Sequence, residues 1–264
     1  MEARVYCDIL IGAEGIHSTV SKHILGENDA ATHPKNAGWW AIMALKAYEL
    51  ARASIGSGPV NIEDAREHMW IGDNTYLMHN VLNHGQIVQL ILSVRDDRPE
   101  SSTLWHLMIS KEEIKNQFKE WPDHLTAARH YLWNHSNAAT YVSGLVCIMG
   151  DAAHATTPWQ GSGAGMSVED SLILSTPLGI SKTPAEAIAA LRVYEMVRRP
   201  RNQRLVKSSR WTGDIMTGKG PETGLDLAKL KEKLLPIWDF IINFDNKKHT
   251  EEATQLLVKE LGEA

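Results

Sequence analysis

The chain has 264 residues, long enough to bury a core in one large domain or two modest ones. Hydrophobic residues make up 43% and charged residues 22%, the balance of an ordinary globular protein. A net charge of -5 speaks against nucleic acid or an acidic membrane surface as the main partner, and no apolar run is long enough for a membrane span.

Arg4 to Ile11 reads as a short buried strand, rich in β-branched residues and ended by Gly12. No signal-peptide core precedes it, so a cytoplasmic location is the default expectation. Gly12 to Gly15 is a tight turn, and Ile16 to Leu25 a short helix closed by Gly26. Gly38 to Leu45 is a second apolar strand. His68 to Ile71, Tyr76 to Leu82 and Gln86 to Val94 read as antiparallel strands, the last two joined by a hairpin turn at Asn83-His84-Gly85. Both faces of the last strand are largely apolar, so this sheet is expected to be covered on each side. Ser110-Lys111-Glu112-Glu113 is a capping box, with Ile114, Phe118 and Trp121 on one helical face before Pro122. Gly144 to Met149 is another apolar strand, and a helix-like segment covers Met166 to Leu174. Thr183-Pro184-Ala185-Glu186 opens a further helix, which should kink or restart at Pro200. From about Leu225 the tail is charged and helical. The two cysteines, Cys7 and Cys147, lie in strand-like runs without a CxxC or metal-ligand neighbour, which fits structural thiols in a reducing compartment.

This order suggests four segments: residues 1–36 as part of a cofactor-binding domain, 37–135 as an inserted antiparallel sheet domain, 136–218 as the rest of the cofactor domain, and 219–264 as a helical tail. The most specific signal is Gly150-Asp151-Ala152-Ala153-His154, followed by Pro158 and the ladder Gly161-Ser162-Gly163-Ala164-Gly165. Strand, acidic residue, glycine turn and helix start place a carboxylate and bare backbone N–H groups around one cavity. A cofactor with ribityl hydroxyls and an electron-rich ring edge needs that combination. A carboxylate accepts a charge-assisted bond from a hydroxyl, and a helix N-terminus favours negative charge.

This stretch resembles the GD motif of FAD-dependent aromatic hydroxylases, and Asp8 to Val20 resembles their DG motif. The chain is similar to salicylate hydroxylase-like monooxygenases of the para-hydroxybenzoate hydroxylase fold from Val5 to about Gly218. The resemblance implies an α/β FAD-binding fold with an inserted antiparallel substrate sheet, FAD as cofactor, NAD(P)H as co-substrate and a small phenolic or aromatic substrate. It further implies that Asp151 bonds a ribityl hydroxyl, that Gly161, Gly163, Ala164 and Gly165 bring backbone to the flavin, and that Gly15 belongs to the cofactor site. Pro158 and Trp159 are expected to wall the isoalloxazine. Two positions depart from the pattern: Glu14 stands where relatives have aspartate, and Ser21 where an arginine often follows.

Many relatives carry an arginine and a tyrosine on the strands matching Gly38–Leu45 and Leu77–Leu82, where this chain has Met43 and His79. His79 is a candidate to bind or deprotonate a phenol, and a strand histidine facing core or solvent is the other reading. Trp39, Trp40, Trp70 and Met78 suit an aromatic pocket or plain core. His154 reads as a packed histidine bonding backbone. The run Arg192, Arg198, Arg199, Arg201, Arg204, Lys207 and Arg210 reads as a solvated helix face, with nicotinamide phosphates as the alternative. The 12 histidines show no metal-ligand spacing, so no metal is expected.

Complete members of such a family open with a βαβ unit carrying GxGxxG, which seats the ADP half of FAD. None precedes Asp8. The expectation is therefore an N-terminally truncated chain that lacks this unit. It would be a monooxygenase by descent, or a redox-silent scaffold, or a chain that needs a complementing N-terminal fragment. A homo-oligomer is a further possibility for its exposed sheet edges.

Overall fold

The computed structural model describes residues 6–55, 61, 64, 66–96, 105–107 and 129–262. The chain divides into two compact units. The first takes residues 1–35, 133–212 and 235–264, and the second takes 36–132 and 213–234. The helix anticipated at Ser110–Trp121 lies outside the described residues. No described helix is long and apolar enough to cross a membrane.

The first unit holds a small sheet in the order β1 (Leu10–Gly12), β9 (Val146–Ile148), β8 (Val142–Ser143). β1 pairs parallel with β9, and β9 forms an antiparallel hairpin with β8. β1 starts later than expected, so Cys7 is exposed outside any strand. Cys147 is buried in β9, and burial pushes its thiol up to about 12. Leu10 and Ile11 are each 43% exposed. Helix α1 (Thr19–Leu25) is capped by Ser18, whose hydroxyl accepts from the Ser21 N–H, and it closes at Gly26. It crosses β1 so closely that a Cβ on Gly12 would come 2.5 Å from the Cβ of Val20.

After β9 come the short helix α3 (Asp151–His154), one 3-10 turn at Pro158–Gln160, α4 (Gly163–Ile180) and α5 (Pro184–Met216). Thr183 caps α5 by accepting from the Glu186 N–H. The helix runs through Pro200 without the anticipated restart. Arg198, Arg201 and Asn202, on either side of the proline, are bound to α4, and these tertiary bonds offset the one backbone bond that proline removes. α7 (Asn246–Gly262) packs on α4. The core gathers Tyr141, Cys147, Ile148, Ala152, Ala153, Ile173, Leu174, Leu191, Tyr194 and Leu257.

Asp170 of α4 is fully buried and organises this unit. Its Oδ2 accepts from the Gly150 N–H at 3.0 Å and from His154 Nε2 at 2.5 Å. Its Oδ1 accepts from Arg198 Nε at 2.8 Å and Asn202 Nδ2 at 2.9 Å. Burial alone would raise the carboxyl pKa. The bonds from His154 and Asn202 and the charge of Arg198 outweigh it and hold the group ionised, well below the usual carboxylate range. Glu169 receives Arg198 at 2.6 Å and both ends of the Arg201 fork at 2.6 and 2.7 Å, and its carboxyl is likewise lowered despite burial. Arg198 and Arg201 are therefore interior cations, not part of a solvated face. His154 bonds a carboxylate, not backbone.

In the second unit the sheet order is β3 (His68–Gly72), β4 (Thr75–Leu82), β5 (Ile87–Arg95), β2 (Lys35–Ala47), β7 (Arg129–Asn134), β6 (His106–Leu107). Asn83, His84 and Gly85 turn between β4 and β5, all with positive φ. Helix α2 (Tyr48–Ile55) packs against β5. Registers put Ala44, Leu90, His79 and His68 in one cross-strand row and Met43, Ile91, Met78 and Met69 in the next. Alternation places these rows on opposite faces. Leu90 and His79 are buried, whereas Met43 is 54% exposed and Leu45, on the same face, is 60% exposed. The sheet is therefore covered on one face only in this region. The apolar side chains of β5 lean on neighbours within the open face instead of on a second layer.

His79 sits on the covered face and is 1% exposed. Trp70 Nε1 donates to its Nδ1 at 3.1 Å, and the His68 ring stacks on it at 4.9 Å. An indole N–H can only donate, so Nδ1 is the acceptor and the ring proton sits on Nε2. Burial, and after it the charge of His68, pulls the pKa down to about 4. The expected base role does not survive this geometry: one nitrogen is engaged, the other is protonated, and the ring stays neutral. A helix, α6 (Leu227–Leu234), and the end of α5 complete the unit. There Arg95 binds Asp214 at 2.6 Å.

Two predictions follow from these buried groups. Asp170→Asn should destabilise the fold by about 3 to 5 kcal/mol, because Arg198 loses a buried partner, measured by urea unfolding at neutral pH. The contribution of an acid with a depressed folded pKa is present above its unfolded value and lost as pH falls through the folded one, so this penalty should shrink in strong acid. His79 titrates near 4 in the fold against an ordinary 6.5, so protons favour the unfolded chain across that window. Lowering pH from 7 to 5 should cost the unaltered protein more stability than it costs His79→Asn, in which the amide oxygen still accepts from Trp70.

Candidate functional site

Parallel pairing of β1 with β9 aligns Gly12 with Ile148, and the Met149 N–H donates to the Gly12 carbonyl at 2.9 Å. The two strands therefore end side by side. The loop Ala13–Ser18 and the turn Gly150–His154 leave from the same carboxyl edge, where open parallel sheets bind ligands. Gly15 (φ 87°) and Asp151, 136 positions apart in sequence, belong to one rim.

Gly150 makes the sharp exit from β9 with φ 58° and ψ -144°, and a Cβ there would lie 2.9 Å from Ser167 Oγ. Its N–H is held by Asp170. Asp151 is the first residue of α3 and is exposed, while Ala152, Ala153 and His154 behind it are buried. The turn thus presents a carboxylate outward from a rigid base.

The loop to α4 is pinned by polar contacts that the sequence did not announce. Thr157 and Ser209 exchange bonds, with Ser209 Oγ donating to the Thr157 carbonyl at 2.7 Å. Gln160 Nε2 donates to Ser208 Oγ and the Ile237 carbonyl, and Trp238 Nε1 donates to the Gln160 carbonyl. Pro158 is exposed, but Trp159 is 8% exposed and packed within the unit. Of the two expected walls, only Pro158 offers a surface. Gly161 is left-handed at φ 62°.

Helix α4 then starts at Gly163. Ser162 precedes it but spends its hydroxyl on the Gln160 carbonyl, so no side chain caps the first turn. A Cβ on Gly163 would meet only Thr156 Cγ2 at 3.8 Å, and one on Gly161 or Gly165 would meet nothing within 4 Å. Packing within the chain does not require glycine at 163 or 165. Ala164 and Gly165 are exposed. Side-chain-free backbone, an uncapped 18-residue helix N-terminus and an outward carboxylate fit a large group carrying both hydroxyls and a partly anionic ring.

Glu14 does not face that rim freely. Its Oε1 accepts from the Val20 N–H at 2.9 Å and from Thr19 Oγ1 at 3.2 Å, so its longer side chain folds back as a second cap on α1. Burial raises its pKa, but these bonds win and the net shift is downward. His135 was not singled out in the sequence. It is 4% exposed, its backbone N–H donates to the Ala155 carbonyl, and both ring nitrogens are buried. Burial lowers its pKa, opposed by the Ile16 carbonyl and the charge of Asp151, so it lies between the two motifs. His79 and Met43 lie in the other unit, on opposite faces of its sheet. Among the described residues, no group of three or more His, Cys, Asp or Glu is arranged to hold a metal.

Comparison with known proteins places the chain in a family. A family model described as FAD binding domain matches residues 1–209. The chain is 32% identical over 257 residues to 6-methylsalicylate 1-monooxygenase atA of Aspergillus terreus, covering 94% of this chain and 56% of that protein. It is 30% identical over 276 residues to salicylate hydroxylase of Pseudomonas putida, covering 97% of this chain and 63% of that one. A solved salicylate hydroxylase substrate complex superposes with a TM-score of 0.85 at 25% identity, over 94% of this chain and 64% of that one. The chain therefore spans less than two thirds of the length of these relatives. With the family match and the rim built from both motifs, the chain belongs to the FAD-binding monooxygenase family and is salicylate hydroxylase-like.

Proposed function

We propose that this chain carries the flavin-middle and substrate portions of an FAD-dependent monooxygenase that hydroxylates a phenolic or other electron-rich aromatic molecule with NAD(P)H and O2. The observation that carries this reading is the shared carboxyl edge of β1 and β9, with exposed Asp151 on one side and the uncapped start of α4 on the other.

In this reading Asp151 accepts a ribityl hydroxyl. Its exposure leaves the carboxylate free to do so, and the bond from Gly150 to Asp170 keeps the turn from drifting. Gly161, Gly163, Ala164 and Gly165 let the backbone approach the ring system, and Gly15 and Pro158 border it. The N-terminal dipole of α4 favours negative charge on the ring edge facing it. Bound FAD, reduced by NAD(P)H, supplies the chemistry that places one atom of O2 on the aromatic ring and releases the other as water. The sheet of the second unit seats the substrate, and the neutral His79 stabilises that sheet from its covered face.

Since the relatives are longer, the experiment separates binding from turnover. The purified chain, titrated with FAD and followed by flavin fluorescence and visible absorption, should take up the cofactor saturably. Asp151→Ala should weaken that uptake by about tenfold or more while leaving the thermal midpoint of the free protein within a degree or two. Gly165→Val enters open space in the free protein. It should fold normally and still lose FAD affinity, through collision with the bound ring. No uptake by the unaltered chain, or unchanged uptake in both variants, would overturn the assignment of this rim as the flavin cradle.

A further inference from the structure

The open face of the second unit's sheet has a defined chemistry. Its central row is Met43–Ile91–Met78–Met69, and beside it lies Leu45–Gln89–Asn80. Neither row contains a charged side chain. Arg95, farther along the same face, is consumed by Asp214 at 2.6 Å and lies 5.4 Å from the Trp39 ring centre. Of the two amides, the Asn80 oxygen is the unsatisfied one. Gln89 Nε2 donates to the Met43 thioether at 3.4 Å, a weak acceptor, and Asn80 Oδ1 is buried with no hydrogen-bond partner among the described residues. A lone polar acceptor beside a spare donor, set among thioethers and an isoleucine, is unfavourable unless something polar completes it.

We infer that this face selects a neutral hydroxyl-bearing aromatic ring and rejects an aromatic carboxylate, with Met43, Asn80 and Gln89 as the specificity-determining residues. Thioethers pack against ring edges with modest favourable energy. A phenol O–H supplies the donor that Asn80 Oδ1 lacks, and its oxygen accepts from Gln89 Nε2 in place of the sulfur. A carboxylate on the same ring would be stripped of water against Met43 and Met78, with no cation in the described rows around them to meet it, which is costly. The inference rests on the reading of this unit as the substrate seat, and it narrows that reading from aromatic compounds to uncharged phenols.

The test is calorimetric titration of the full chain at neutral pH with 3-methylphenol and with salicylate, in the presence and absence of FAD. Flavin uptake is recorded on the same samples, so failure of the cradle and failure of this face are read separately. The unaltered protein should bind 3-methylphenol at least about tenfold tighter than salicylate. Met43→Arg, at an exposed position, should draw salicylate in by about tenfold. Asn80→Leu should weaken 3-methylphenol by a similar factor and leave salicylate where it was. Equal or tighter binding of salicylate by the unaltered protein, absence of phenol binding, or variants that move neither constant would each overturn the inference.

Discussion

A carboxylate with no contact to water stays charged only if every one of its lone pairs is met by a donor held in place. Asp170 meets that condition with four donors from two parts of the chain: the Gly150 amide, His154, Arg198 and Asn202. The last two stand one helical turn apart on α5, and the first two bracket α3. One side chain thus fixes the exit of β9, the short helix behind it and the packing of α4 on α5. Glu169 extends the arrangement by clamping Arg201, whose guanidinium also covers the Phe244 ring at 3.2 Å. Removing a single partner would leave a buried charge unmatched, so the group holds together or fails together.

This interior arrangement explains why the rim can afford an exposed aspartate and bare backbone. Asp151 and Asp170 lie near each other in the fold but do different work because their surroundings differ. The buried one is saturated and holds geometry. The exposed one lies open at the rim. The Gly150 amide joins the two roles, since its bond to Asp170 sets the direction in which the next residue leaves the strand. The same economy governs the loop at Thr157–Gln160, where Ser208, Ser209 and Trp238 hold the backbone while the glycines beyond it stay open.

Local signals carried much of the fold. Strands β2 to β5 of the second sheet, the hairpin at Gly85, the start of α5 at Thr183 and the closure of α1 at Gly26 follow from periodicity and capping chemistry written within a few residues, whereas β6 and β7 were not read from the sequence. The rim residues from Asp151 to Gly165 were legible for the same reason, being a contiguous motif. What stayed hidden depends on partners distant in sequence. Arg198 and Arg201 look like any basic helix face until α4 brings Glu169 and Asp170 against them. His135 has no motif at all, and its interest arises because β7 delivers it between two loops. One face of the β5 strand was misread because an apolar side chain can be satisfied by its neighbours in the sheet as well as by a covering layer. Nothing within the strand distinguishes the two.

Period-two geometry also settles how Met43 and His79 relate. Aligned strand by strand, they look like two halves of one substrate contact. The register puts them in adjacent rows, and adjacent rows of a pleated sheet face opposite ways. A ligand on the open face meets thioethers and amides, while the imidazole answers to Trp70 and His68 on the other side. Trp70 fixes the tautomer and burial fixes the charge, which leaves the ring without a free lone pair to take a proton. Any acid–base demand of a reaction on the open face must therefore be met by groups other than this histidine. The described rows around Met43 and Gln89 are neutral, and the cation farther along that face, Arg95, is paired with Asp214.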